Sequence, residues 1–113
     1  MTDEVSARLE AALNDLVQRR QCITYGALAA HIGFDGPGRI RHLTNLLEAL
    51  MEVDMAQGRP LRAATVISRA SAGLPAQGFF IKASALGLCP YPLPPVAAKA
   101  FHDTQLEALF SGM

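Results

Sequence analysis

The stretch that decides the fold runs from residue 23 to residue 45 and is ITYGALAAHIGFDGPGRIRHLTN. Thr24 is a typical N-cap residue, and the apolar residues after it predict a short helix from Tyr25 to His31. The glycines and the proline at 36–38 predict a turn. Apolar residues at helical spacing then predict a long helix that begins at about Pro37 or Arg39 and ends at Ala56. The sequence therefore predicts two consecutive helices joined by a short turn.

Two further helices flank this pair. Residues 3–20 carry apolar side chains at helical spacing with charged residues between them, which predicts an amphipathic first helix. A Gly- and Pro-rich strap at 83–95 leads into a last helix over about Val96–Phe110, which has a broad apolar side.

Between the helix pair and the strap, the pattern of residues no longer has the period of a helix. Residues 61–68 (LRAATVIS) are small or β-branched and predict a strand, and Phe79–Lys82 predicts a returning strand after a glycine-rich loop. A hairpin after three helices would be the wing of a winged helix. We therefore expect an α+β fold, a winged helix-turn-helix with three helices, a β-hairpin wing and a C-terminal helix. The expected single domain covers residues 1–113, divided into 1–82, 83–95 and 96–113.

Composition limits the function classes. The 113 residues carry ten basic and ten acidic side chains, and half of the residues are apolar, which predicts a packed globule. No apolar run is long enough to span a membrane, and the acidic start does not suit a secretory signal, so a cytoplasmic location is expected. The two cysteines and three histidines have no metal-ligand spacing, so neither a metal nor another cofactor is expected.

The start of the third helix carries the candidate nucleic-acid contacts. Arg39, Arg41 and His42 lie in its first turn, and Asn45 follows one turn after Arg41. Arginine and asparagine suit hydrogen bonds to guanine and adenine edges, and a helix that enters the major groove does so with its N-terminal residues. The alternative interpretation is a solvated helix face.

Four further residues complete the candidate site. Arg62, Arg69 and Lys82 fall on the expected wing, where they would meet phosphates beside the groove. The hydroxyl of Tyr25, at the start of the second helix, would meet another phosphate. For the wing cations the alternative is a solvated hairpin, and for Tyr25 it is a half-buried aromatic that closes the helix pair.

The run from Ile23 to Ala29, followed by Ile32-Gly33 and then Arg39, resembles the DNA-binding domain of alkylguanine-DNA alkyltransferases and alkyltransferase-like proteins. The resemblance covers about residues 22–45 well and 60–80 loosely. It implies that Tyr25 matches the family tyrosine, which helps to rotate a target nucleotide. It also implies that Arg39 matches the family arginine, which fills the space left by the flipped base.

The resemblance ends at the chemistry of that family. The Pro-Cys-His-Arg-Val signature is missing, and its nucleophile position falls near Ala63, with no histidine beside it. The chain also has no tryptophan, the residue on which alkyltransferase-like proteins rely. Alkyl transfer is therefore not expected.

The sequence favours a non-catalytic protein that binds double-stranded DNA, as a regulator or as an accessory of repair or defence. No nucleophile elbow or phosphate loop is present, so no enzyme and no small-molecule substrate are expected. The alternative is a protein-interaction module that forms a homodimer through residues 96–113, which the zero net charge favours.

Overall fold

The computed structural model describes residues 2–111, and describes side chains from residue 4 onward. Five α-helices make up most of this part of the chain, with two very short strands between them. The helices are α1 (Thr2–Arg19), α2 (Tyr25–His31), α3 (Arg39–Ala56), α4 (Gln77–Ala85) and α5 (Pro95–Phe110), and the strands are β1 (Ile23–Thr24) and β2 (Val66–Ile67). Two 3₁₀ turns flank β2, the central turn Arg62–Thr65 and the second turn Arg69–Ser71.

The four helices predicted from apolar spacing are present within one or two residues of their expected bounds. Thr24 caps α2 as predicted, because its Oγ1 accepts the backbone N–H of Ala27 at 3.2 Å. The ends of the predicted segments 1–82 and 96–113, at Met1 and at 112–113, lie outside the described residues. No helix within residues 2–111 is long and apolar enough to cross a membrane.

The predicted winged helix-turn-helix is wrong. Instead of a hairpin, β2 pairs with β1 in parallel, with Ile23 opposite Val66 and Thr24 opposite Ile67. These two strands are the whole sheet within residues 2–111. Half of the expected strand over 61–68 is the central turn, and only its Val66–Ile67 portion forms a strand.

The expected second wing strand, Phe79–Lys82, lies inside the helix α4. Phe79, Phe80 and Ala83 are buried, a spacing that places one helical face on the core. α4 ends in a Schellman motif: the Leu88 N–H donates to the Ala83 carbonyl at 3.0 Å, and Gly87 has a φ of 80°. Two adjacent aromatic residues favour a strand by intrinsic propensity. Here the burial of one face of the 79–86 segment as a helix outweighs that propensity.

The central turn lies in the middle of the molecule. All four of its residues are buried, and it packs against α1, α3 and α5. Hydrogen bonds hold it from the side of α5: the Gln105 side chain accepts the Leu61 N–H, and His102 Nε2 lies 2.8 Å from the Ala64 carbonyl oxygen. Because that carbonyl can only accept, Nε2 carries the proton.

Arg62 and Asp54 form a buried ion pair at this turn. Asp54, on α3, is fully buried, and its carboxylate accepts the Arg62 backbone N–H at 3.0 Å and Arg62 Nη2 at 2.8 Å. Arg62 Nη1 also reaches Glu10 and Asn14 on α1, both at 3.0 Å. Burial alone would lower the pKa of Arg62, but the hydrogen bonds and the charges of Asp54 and Glu10 raise it above its ordinary value. The guanidinium is therefore always charged and joins α1, α3 and the central turn.

Two glycine substitutions test whether residues 77–85 form a helix. Gly87→Ala places a side chain in the left-handed region and is expected to cost about 1 kcal/mol of the free energy of unfolding. Gly78→Ala, within α4, adds a Cβ 3.7 Å from Glu48 Oε2, an ordinary contact, and is expected to stabilise by up to about 1 kcal/mol. Urea unfolding of both variants measures the changes. Destabilisation by Gly78→Ala equal to that by Gly87→Ala would contradict the helix.

Removing one partner of the buried ion pair tests its role in stability. Asp54→Asn removes the fully buried counter-charge of Arg62 and leaves it only the half-exposed Glu10, and it is expected to cost about 3–5 kcal/mol of the free energy of unfolding. The matched control is Asp103→Asn, which breaks the exposed pair with Lys99 one helical turn away on α5 and is expected to cost less than about 0.5 kcal/mol. Equal losses of unfolding free energy for the two variants, in thermal or urea unfolding, would show that the buried pair stabilises the fold no more than the exposed pair does.

Candidate nucleic-acid interface

An open groove of about 670 Å³ runs between the start of α2, the start of α3 and the segment from β2 to the second turn. Its apolar floor includes Ala27, Ile40 and Ile67. The polar residues that line it include Tyr25, Arg39 and Arg69, three of the residues predicted from sequence. We call it the Tyr25 groove.

Tyr25 is fixed at the edge of the groove. Its hydroxyl oxygen accepts the backbone N–H of Ala76 at 3.1 Å, which ties the start of α2 to the loop before α4. A phenol has one O–H to donate, and this bond does not use it. Tyr25 is half-buried, with its ring packed against the core, and its hydroxyl retains one O–H to donate.

Arg39 is the first residue of α3 and is exposed at the groove. Gly38 precedes it with a φ of 79°, a conformation that glycine adopts without strain, and no side chain caps the helix. Arg39 therefore begins a helix whose first N–H groups have no side-chain cap among the described residues, and such a helix start favours an anion.

The charge of the groove is positive. Arg69, in the second turn, is its other cation, and neither it nor Arg39 forms an ion pair with a residue in 4–111. No Asp or Glu is among the described residues that line the groove, and the nearby negative charge is that of Glu48, which raises the pKa of Tyr25. A ligand in the groove would meet donors and cations, the complement of a phosphate.

Three more of the predicted residues lie next to the groove on α3, outside its lining. Arg41, His42 and Asn45 are exposed on the side of the helix that faces away from buried Leu43 and Leu47. The His42 ring stacks on Phe34, with ring centroids 4.4 Å apart and planes 11° apart. The stacking fixes the orientation of the imidazole at the start of α3.

Arg62 and Lys82 do not join this surface. The Arg62 guanidinium is 7% exposed and is held by Asp54 and Glu10, so it is not available to a phosphate. Lys82 lies on α4 and pairs with Glu52 on α3. The expected wing that would have carried both residues beside the groove does not exist.

The C-terminal helix leaves the groove uncovered. α5 packs on the central turn and on α1, with Ala98, His102 and Leu109 buried against the core. Its apolar side is therefore used within the chain up to residue 111. Val96, 82% exposed at the start of α5, is its most exposed large apolar residue among those described.

Ala63, near the position of the family nucleophile, is buried in the central turn. The cavity that it lines with Tyr25 and Met51 holds only about 10 Å³, roughly the volume that one water needs. The described lining of this cavity has no cysteine, and the cavity has no room for a substrate group.

Sequence reasoning missed the contribution of β2 and of the loop before α4 to the groove. Ile67, Ser68 and Ala76 line it because the parallel pairing of β1 and β2 places them beside α2. A two-residue pairing between distant parts of the chain leaves no periodic signal that would have identified it.

Comparison of the chain with known protein families, with curated proteins and with solved structures finds no match. The resemblance to alkyltransferase DNA-binding domains therefore stays a prediction from the motif around Tyr25 and Arg39.

Titration of Tyr25 tests its fixed position. Burial raises the pKa of Tyr25, the Ala76 N–H lowers it by a smaller amount, and the charge of Glu48 raises it further. Folding stability is therefore expected to fall as pH rises from about 10, the pKa of a free phenol, through the higher pKa of the folded state. Phenolate absorbance in a Tyr91→Phe variant isolates Tyr25. Ionisation at or below the pKa of a free phenol would contradict its burial.

Proposed function

We propose that this protein binds double-stranded DNA, without catalysing a reaction, through the Tyr25 groove and the adjoining solvent face of α3. The observation that carries the proposal is the grouping of Tyr25, Arg39 and Arg69 around one open groove whose described lining contains no carboxylate. The proposal includes a cytoplasmic location, where the protein would bind the DNA of the cell.

A net charge of zero would by itself disfavour binding to phosphates, so the distribution of the charges decides here. The acids Asp15, Glu10 and Asp54 are engaged by cations away from the groove. Arg39, Arg41 and Arg69 form no ion pair within residues 4–111 and lie at or beside the groove. Affinity for phosphates depends on such local positive charge rather than on the total.

The Tyr25 groove suits the phosphates of DNA, and the adjoining face of α3 suits the base edges. Arg39, Arg69 and the Tyr25 hydroxyl offer donors to phosphates, which fix the position of a protein on the duplex. Arg41 and Asn45 project from the solvent face of α3 near its start and suit hydrogen bonds to base edges. The phosphate contacts supply most of the affinity, and the contacts from α3 to base edges supply the sequence preference.

Salt-dependent binding to a labelled duplex tests the proposal. Arg39→Gln and Arg69→Gln are each expected to weaken binding by about 1 kcal/mol or more and to reduce the slope of log K against log salt by about 1, because each removes a phosphate contact. Fluorescence anisotropy at several salt concentrations measures both quantities.

The matched control is Arg8→Gln. Arg8 is also an exposed arginine without an ion pair among the described residues, but it lies on α1 in a different depression, beside Asp15 and His31. It is expected to leave affinity and slope nearly unchanged. Wild-type protein that fails to bind duplex at low salt, or an Arg8→Gln variant as weak as Arg39→Gln, would refute the proposal.

A further inference from the structure

A second cleft, of about 550 Å³, lies between α1, the segment 58–60 that follows α3, and the last turn of α5. This volume is typical of sites for small molecules. Its walls are largely apolar and include Val17, Pro60 and Leu109. Its polar groups are Asn14, Gln18, Arg59 and the edge of buried Arg62. We call it the Arg59 cleft.

Arg59 brings a partly free guanidinium to the cleft. Its side chain is 44% exposed, and Nη2 lies 3.1 Å from Asp54 Oδ1, its only ion pair with a described residue. Asp54 already pairs with Arg62 at 2.8 Å, so one buried carboxylate is shared by two guanidinium groups. A guanidinium has five N–H donors in a planar fork, and most of those of Arg59 remain available to an acceptor.

Asn14 adds a second group of donors with a fixed orientation. Its Oδ1 accepts Arg62 Nη1 at 3.0 Å, so its amide nitrogen is directed away from Arg62 and keeps two N–H groups. The polar lining of the cleft therefore presents N–H donors, among them a guanidinium that shares its carboxylate partner with Arg62, and the rest of the lining is largely apolar. This combination complements a molecule with an acceptor anion at one end and an apolar body at the other.

We propose that the Arg59 cleft binds a small organic carboxylate with an apolar body. The carboxylate pairs with Arg59 and accepts from Asn14, and the apolar body lies against Val17 and Leu109. The site is at the opposite end of α3 from the Tyr25 groove, so its occupancy leaves the groove open. The proposal goes beyond DNA binding and does not depend on it.

An NMR titration with phenylpropionate tests this site, with the neutral phenylpropionamide as the matched probe. A carboxylate of this size is expected to bind with a Kd of about 1 mM or tighter. Saturable shifts are expected for the Asn14 side-chain amide and for the backbone amides of Val17 and Leu109. The neutral amide is expected to bind at least about tenfold more weakly, because it lacks the charge-assisted bonds to Arg59.

Variants locate the binding. Arg59→Gln is expected to weaken phenylpropionate about tenfold, and Arg19→Gln, which removes an exposed α1 arginine paired with Asp15, is expected to leave it unchanged. Ala108→Phe fills the cleft from α5 and provides a second test if Arg59→Gln does not fold. Equal affinity for the neutral amide, an unchanged Kd in both cleft variants, or shifts that do not saturate would overturn the proposal. The assay contains no DNA, so its failure would leave the groove proposal standing.

Discussion

The structure depends on one buried interaction, the pairing of Asp54 with Arg62. A fully buried carboxylate is costly unless it is neutralised and hydrogen-bonded, and here Arg62 provides both its guanidinium and its backbone N–H. The pairing fixes the central turn against α3, and the Arg62 contacts with Glu10 and Asn14 fix it against α1. Since β2 follows this turn directly, the same interaction brings β2 beside β1 and carries Arg69 to the groove.

α3 connects the two sites. Its first residue, Arg39, lies at the Tyr25 groove, and Asp54, in its last turn, pairs with both arginines of the Arg59 cleft. The sequence placed Tyr25 and Arg39 in one candidate site, because each begins one of the two consecutive helices. It placed Arg69 at the same surface through a wing that does not exist. Arg62 and Lys82 were placed there too, because nothing in the sequence marks Asp54 and Glu52 as their partners.

The helices were predictable where a long apolar period was available, as in α1 and α3. Phe79-Phe80 was misread because a short apolar run does not distinguish a strand from a buried helical face; the continuation to Ala83 and the stop at Gly87 decide it. The pairing of Ile23 with Val66 was not predictable, since it joins distant residues and rests on tertiary packing around the central turn.

A double-mutant cycle between Asp54 and Arg62 tests this account most directly. Asp54→Asn, Arg62→Met and the double variant are compared with the wild type by urea unfolding. Asp54→Asn leaves Arg62 only Glu10 as a counter-charge, and Arg62→Met leaves Asp54 only the half-exposed Arg59. The double variant removes both members of the pair, so a coupling free energy of about 2 kcal/mol or more is expected. A coupling below about 0.5 kcal/mol, the size typical of exposed pairs, would contradict the claim that this interaction fixes the fold around the groove.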